Sequence, residues 1–189
     1  MYDWVLSWEK SPYGLLALFI LAFIESSVFP IPPDILLIAL CLANQKKSFK
    51  FALICSIGSV LGGMFGYFIG YSLFEVIGKP IIAMYHYEKQ FADLCVTFND
   101  YAFISVLIAA ITPIPYKVFT IASGVAHADF STFVLASVIG RSFRFFLVSA
   151  LIYKYGQPVK NFIDKYFDIL TVIFMLLLVG GFLVIKYAL

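Results

Sequence analysis

Five apolar stretches, residues 13–43, 51–77, 102–126, 130–153 and 167–185, alternate with short polar segments along the chain. The second, fourth and fifth are each close to the about 20 residues that a helix needs to cross about 30 Å of hydrocarbon, and they predict uninterrupted transmembrane helices. The first and third are interrupted by prolines, Phe29-Pro30-Ile31-Pro32-Pro33-Asp34 in one and Thr112-Pro113-Ile114-Pro115-Tyr116-Lys117 in the other. Proline removes a backbone donor and biases the preceding residue away from helix, so each cluster predicts a helix–break–helix hairpin. The pieces after the breaks, residues 35–43 and 118–126, reach only about 13 Å at 1.5 Å per residue, too short to cross. Re-entrant hairpins, with Pro30, Pro32, Pro33, Pro113 and Pro115 at their breaks and the irregular backbone shielded by protein or lining a wet cavity, answer this constraint. The mixed stretches 80–101 and 158–166 predict interfacial amphipathic helices, with Trp4, Trp8, Tyr85, Tyr87 and Tyr166 at headgroup level.

The two proline segments belong to a repeat. Pro30, Pro32 and Asp34 correspond to Pro113, Pro115 and Lys117 at an offset of 83, while Phe51 and Ile57-Gly58 correspond to Phe133 and Ile139-Gly140 at 82. Later, Gly78-Lys79-Pro80 corresponds to Gly156-Gln157-Pro158 at 78. One crossing separates the hairpins, so they are expected to dip in from opposite faces. The expected fold is thus a single all-α integral membrane domain over residues 1–189. It is an inverted repeat of re-entrant hairpin plus transmembrane helix, repeat 1 at about 13–80 and repeat 2 at about 102–158. A C-terminal transmembrane helix follows at about 167–186. This topology gathers Lys10, Lys46, Lys47, Lys50, Lys154, Lys160 and Lys165 on one side against Lys79, Lys89 and Lys186, which puts the N-terminus in the cytoplasm.

Composition agrees. With 62% hydrophobic and 13% charged residues and a mean hydropathy of +0.98, a 189-residue chain has too little interior to be water-soluble. The net charge of +2 is scattered and offers no stripe for nucleic acid. Cys41, Cys55 and Cys95 stand in apolar runs without a C-x-x-C pair, as small packing residues do. Acidic Asp3 and Glu9 beside the lone base Lys10 do not make a secretory signal, so the first apolar segment is expected to persist. His86 and His127 are far apart and Ser123-Gly124 lacks a nucleophile elbow, so no metal, cofactor or enzymatic role is expected.

Charge inside the apolar segments changes the picture more. Glu25, Asp34, Lys117, Arg141 and Arg144 each cost about 2.5–3.5 kcal/mol at a helix centre unless they pair, protonate or touch water, and such groups usually mark a transport path. Arg141 and Arg144 share one helix face at i and i+3. Two carboxylates and three cations leave a site of net charge +1, which favours a monoanion; guanidinium forks suit phosphate oxygens. The bland alternative is a set of structural ion pairs between Glu25, Asp34 and the arginines. Gly58, Gly62, Gly66 and Gly70 recur every four residues and predict a smooth face for close helix packing, with a lipid path as the alternative.

Together, Glu25 with Phe29-Pro30-Ile31-Pro32-Pro33-Asp34, the Gly62-x3-Gly66-Tyr67-x2-Gly70 run, and Thr112-Pro113-Ile114-Pro115-Tyr116-Lys117 followed by Gly124 resemble the DedA family, also called VTT-domain or SNARE-associated Golgi proteins. Gly140-Arg141-x2-Arg144-Phe145 resembles its YqaA-like branch. The resemblance implies a bacterial inner-membrane lipid flippase or scramblase that returns undecaprenyl phosphate, or moves phospholipid, between leaflets in dependence on the proton motive force. It matches Glu25 and Asp34 to the family's membrane acids. Many members carry R-x-x-P-x-x-R at the second hairpin, where this chain has Ala110, Pro113 and Tyr116 with Lys117 next door. Arg141 and Arg144 are the candidates for the missing charge. The expected ligands are an anionic lipid phosphate and protons, and self-association is compatible with the sequence. Rival readings are a proton-coupled exporter of small cations or drugs and a non-transporting membrane assembly protein.

Overall fold

A computed structural model describes residues 13–27, 32–85, 87–112, 114–156 and 158. Pro30, Pro113, His86, the N-terminal tryptophans, nearly all of the 158–166 stretch and the C-terminal segment at 167–186 lie outside the described residues. Eight α-helices follow in order among those described: α1 (Gly14–Ser27), α2 (Asp34–Ala43), α3 (Ser48–Leu73), α4 (Lys79–Tyr85), α5 (Glu88–Asp100), α6 (Ala102–Ile111), α7 (Tyr116–Val125) and α8 (Phe130–Tyr155). A 3-10 turn, Gln45–Lys47, precedes α3, and a π turn, Phe74–Gly78, follows it.

The breaks fall at the prolines. Pro33 caps α2 and places Asp34 in its first turn, where a carboxylate suits the positive end of the helix dipole. Pro115, in an extended conformation, precedes α7. α6 stops at Thr112, whose amide and hydroxyl both donate to the Ile108 carbonyl, at 2.9 and 2.7 Å. Pro80 acts differently from the expectation that the second span ends near 77. The helical run continues from Gln45 to Tyr85, because the missing Pro80 amide is absorbed by the widened π turn just before it.

Among the described residues, two helices are long and apolar enough to cross a membrane, the Gln45–Tyr85 run and α8. A third span results if α5 and α6, bent by 68° at Tyr101, are taken together. Large apolar side chains face outward as well as inward. Leu16, Ile20 and Ile24 of α1, Leu53, Ile57, Leu61 and Phe65 of α3, and Leu135, Phe143, Leu147 and Leu151 of α8 point outward. Inside, serines, glycines and alanines at the helix crossings stand beside buried leucine and aromatic side chains. A membrane already supplies the apolar solvent, so helices associate through close packing and hydrogen bonds.

The glycine face of α3 is divided between two partners. A Cβ on Gly58 or Gly62 would run into the carbonyls of Phe19 or Phe23 on α1. One on Gly66 or Gly70 would strike Thr120 or the Ile121 carbonyl on α7, and Gly124 of α7 lies as closely on the Tyr67 carbonyl. α8 repeats the arrangement: it packs against α6, against α2 and against α3 itself. Each long helix therefore holds the first short helix of its own half and the second short helix of the other. Two apolar cores result, one around Leu18, Leu36, Phe51 and Phe145, the other around Tyr67, Val106, Tyr116 and Phe133.

Candidate functional site

Where α3 crosses α8, the interior is polar. Arg141, with its side chain only 3% exposed, reaches from α8 to Glu25 near the end of α1, Nη2 to Oε2 at 2.8 Å. Its Nε donates to Ser59 Oγ of α3. The Ser26 and Ser59 hydroxyls lie 2.7 Å apart, and Ser26 also donates to Glu25 Oε2 at 3.2 Å. The guanidinium carbon stands 5.0 Å from the Tyr116 ring centroid and 4.7 Å from that of Phe145, so the cation is flanked by aromatic faces as well as by its counterion.

One helical turn along α8, Arg144 donates to both oxygens of Asp34, Nη2 to Oδ2 at 2.8 Å and Nε to Oδ1 at 3.4 Å. Its Nη1 donates to the Thr112 carbonyl at 3.1 Å, one of the acceptors left open where α6 ends. A single side chain thus ties both proline breaks together, the start of α2 and the end of α6. Asp34 and Arg144 are partly exposed, at 19% and 26%, which leaves this pair more accessible than the Arg141 pair.

The five charges read from the sequence are therefore distributed unequally. Glu25 meets Arg141 and Asp34 meets Arg144, while Lys117, half-buried on α7, has no ion-pair partner among the described residues. Two neutral pairs plus one lysine retain the net +1 of the count. Ser26, Tyr116 and the Thr112 carbonyl were not singled out from the sequence. One signal was available for Ser59: in the repeat it aligns with Arg141 at the offset of 82, and these two residues touch.

A separate polar cluster closes the other end of α3. His127, at φ 51, sits in the α7–α8 turn with Nε2 3.2 Å from Glu75 Oε1, and Lys79 pairs with Glu75 at 2.7 Å. Tyr67 donates to the Ala128 carbonyl at 2.6 Å, and Asn99 of α5 donates to that of Ala126 at 3.1 Å. Asp129 caps α8 by accepting from the Thr132 amide at 2.6 Å. That hydrogen bond holds the exposed Asp129 carboxyl below its ordinary range.

A helical membrane protein with charge pairs locked between two halves is the class that this fold and site define. The family pattern described as VTT domain matches residues 29–154, and the chain belongs to that family, the DedA family, which is generally linked to membrane transport or assembly. An uncharacterized protein of Haemophilus influenzae is 33% identical over 186 residues, 98% of this chain and 96% of that protein. An uncharacterized HI0703 homolog of Histophilus somni is 31% identical over 151 residues, covering 80% of this chain and 78% of its own. No solved structure gives a significant match.

Proposed function

We propose that the protein moves an anionic lipid phosphate, undecaprenyl phosphate or a phospholipid, between the leaflets of a bacterial inner membrane, and that it is not an enzyme. The observation that carries this reading is the pair of arginine–carboxylate contacts that α8 makes with α1 and α2, one buried and one partly exposed, with Lys117 on α7 lacking an ion-pair partner among the described residues. Each arginine has two competing partners, its own carboxylate and an incoming phosphate. A proton taken up by Glu25 or Asp34 releases the guanidinium to bind phosphate, and expulsion of the proton returns it. Proton movement and lipid movement are then linked by competition for one fork.

The route is an inverted repeat whose hairpins, α1–α2 and α6–α7, re-enter from opposite faces, with the N-terminus cytoplasmic. Three features support it. The exchange of short helices between α3 and α8 is reciprocal. The aligned residues Ser59 and Arg141 meet, as positions beside a twofold axis do. Asn44 lies at one end of α3, whereas His127 contacts Glu75 beyond the other.

Lipid flip in proteoliposomes tests the proposal: Arg141→Gln and Arg144→Gln are expected to reduce headgroup translocation at least tenfold, and unchanged rates would remove both from the mechanism. Labelling of single cysteines at Asn44 and His127 from opposite sides of the membrane checks the topology. One observation favours a second reading, a non-transporting assembly role: each guanidinium is already matched to a carboxylate. In that case Glu25→Gln/Arg141→Gln retains full activity wherever it folds.

A further inference from the structure

Resting on the transport reading, we infer that Ser26 and Ser59 form a reversible hydroxyl relay that reports the protonation of Glu25 to the ligand through the polarity of its hydrogen bonds. Both residues are fully buried, and each hydroxyl has one proton to give. With Glu25 ionised, the chain has one satisfied direction: Arg141 Nε–H donates to Ser59, Ser59 to Ser26, and Ser26 to Glu25 Oε2. Once Glu25 takes a proton on Oε2, the oxygen that faces Ser26, its own O–H becomes the donor to Ser26, which also accepts from Arg141 Nη2 at 3.4 Å. Ser26 must then turn and donate to Ser59, which already accepts from Arg141 Nε.

The reversal ends at Ser59. Its O–H loses Ser26 as an acceptor, and among the described residues Ser59 Oγ has no hydrogen-bonding partner besides Ser26 and Arg141. A buried hydroxyl donor without an acceptor is costly, of order 1–3 kcal/mol. The same protonation that releases Arg141 Nη2 from Glu25 thus presents a second donor, beside the guanidinium, to an anionic oxygen. Ser59 becomes a positioning and specificity residue, active only when the carboxylate is neutral. No proton leaves the serines; only their orientation changes. Other titratable groups around this relay are Arg141 and Arg144 on α8, Asp34 on α2, Tyr116 on α7 and Cys55 on α3.

The relay is tested with full-length protein in phosphatidylcholine vesicles carrying a fluorescent phosphatidic acid, bleached from outside across a pH series. Ser59→Ala is expected to slow flip about tenfold, the loss of one hydrogen bond to a charged oxygen. Both Ser59→Ala and Ser26→Ala are expected to flatten the pH dependence, which Ser59→Thr restores. Wild-type profiles in both alanine variants, with Arg141→Gln inactive, would overturn the relay while leaving the transport reading intact. Unchanged flip in Arg141→Gln would remove Arg141, and the relay with it, from the mechanism, whereas no flip by the wild-type protein would sink the transport reading instead. Infrared difference spectra in detergent then decide the relay by themselves, using the carboxyl band that Glu25→Gln removes. Ser59 does not touch Glu25, yet Ser59→Ala is expected to alter the pH response of that band; an identical response would refute the relay.

Discussion

At the scale of single residues, Arg141 is worth more as half of a pair than as a charge. Removing Glu25 alone leaves a buried guanidinium without its counterion, which costs about 3–5 kcal/mol, whereas removing both charges avoids most of that penalty. Glu25→Gln is therefore expected to unfold markedly earlier in a detergent melt than Glu25→Gln/Arg141→Gln, and the double-mutant cycle measures the coupling. The five charges were legible from the sequence because ionisable side chains stand out in apolar stretches. Which acid meets which base was not, since partners 110 and 116 positions apart are set by helix rotation and packing. Serines left even less trace: a hydroxyl in an apolar helix commonly bonds its own backbone, as Ser56 does to the Ala52 carbonyl.

At the scale of elements, the proline breaks could be read directly, because a missing amide acts locally. α2 and α7 start within a few residues of the expected positions. The end of the apolar stretch at 77 did not mark the end of the helix, which runs on through a π turn and Pro80 to Tyr85. The start of α8 carries a pH consequence. Asp129 accepts the Thr132 amide when ionised and its carboxyl sits below the ordinary range, so the cap contributes above the unfolded value and is lost as pH falls through the folded one. The protection factor of the Thr132 amide, its exchange rate relative to the unprotected rate at the same pH, is expected to fall in acid, and Asp129→Ala to show that loss already at neutral pH.

At the scale of the whole molecule, the spacing of prolines and glycines suggested a repeat, but the packing of the short helices on the two long ones left no trace in it. Nothing in the offsets near 82 foretells that α7 lies on α3 and α2 on α8. The consequence concerns how the protein can be built. Neither half has a finished interior: residues up to 85 leave α2 facing a missing α8, and residues from 87 onward leave α7 facing a missing α3. A chain cut at residue 86 and made as two polypeptides is expected to yield stable product only on co-expression, the untagged fragment copurifying with the tagged one, with either fragment degraded when produced alone. The protein behaves, in that sense, as a heterodimer whose subunits share one gene.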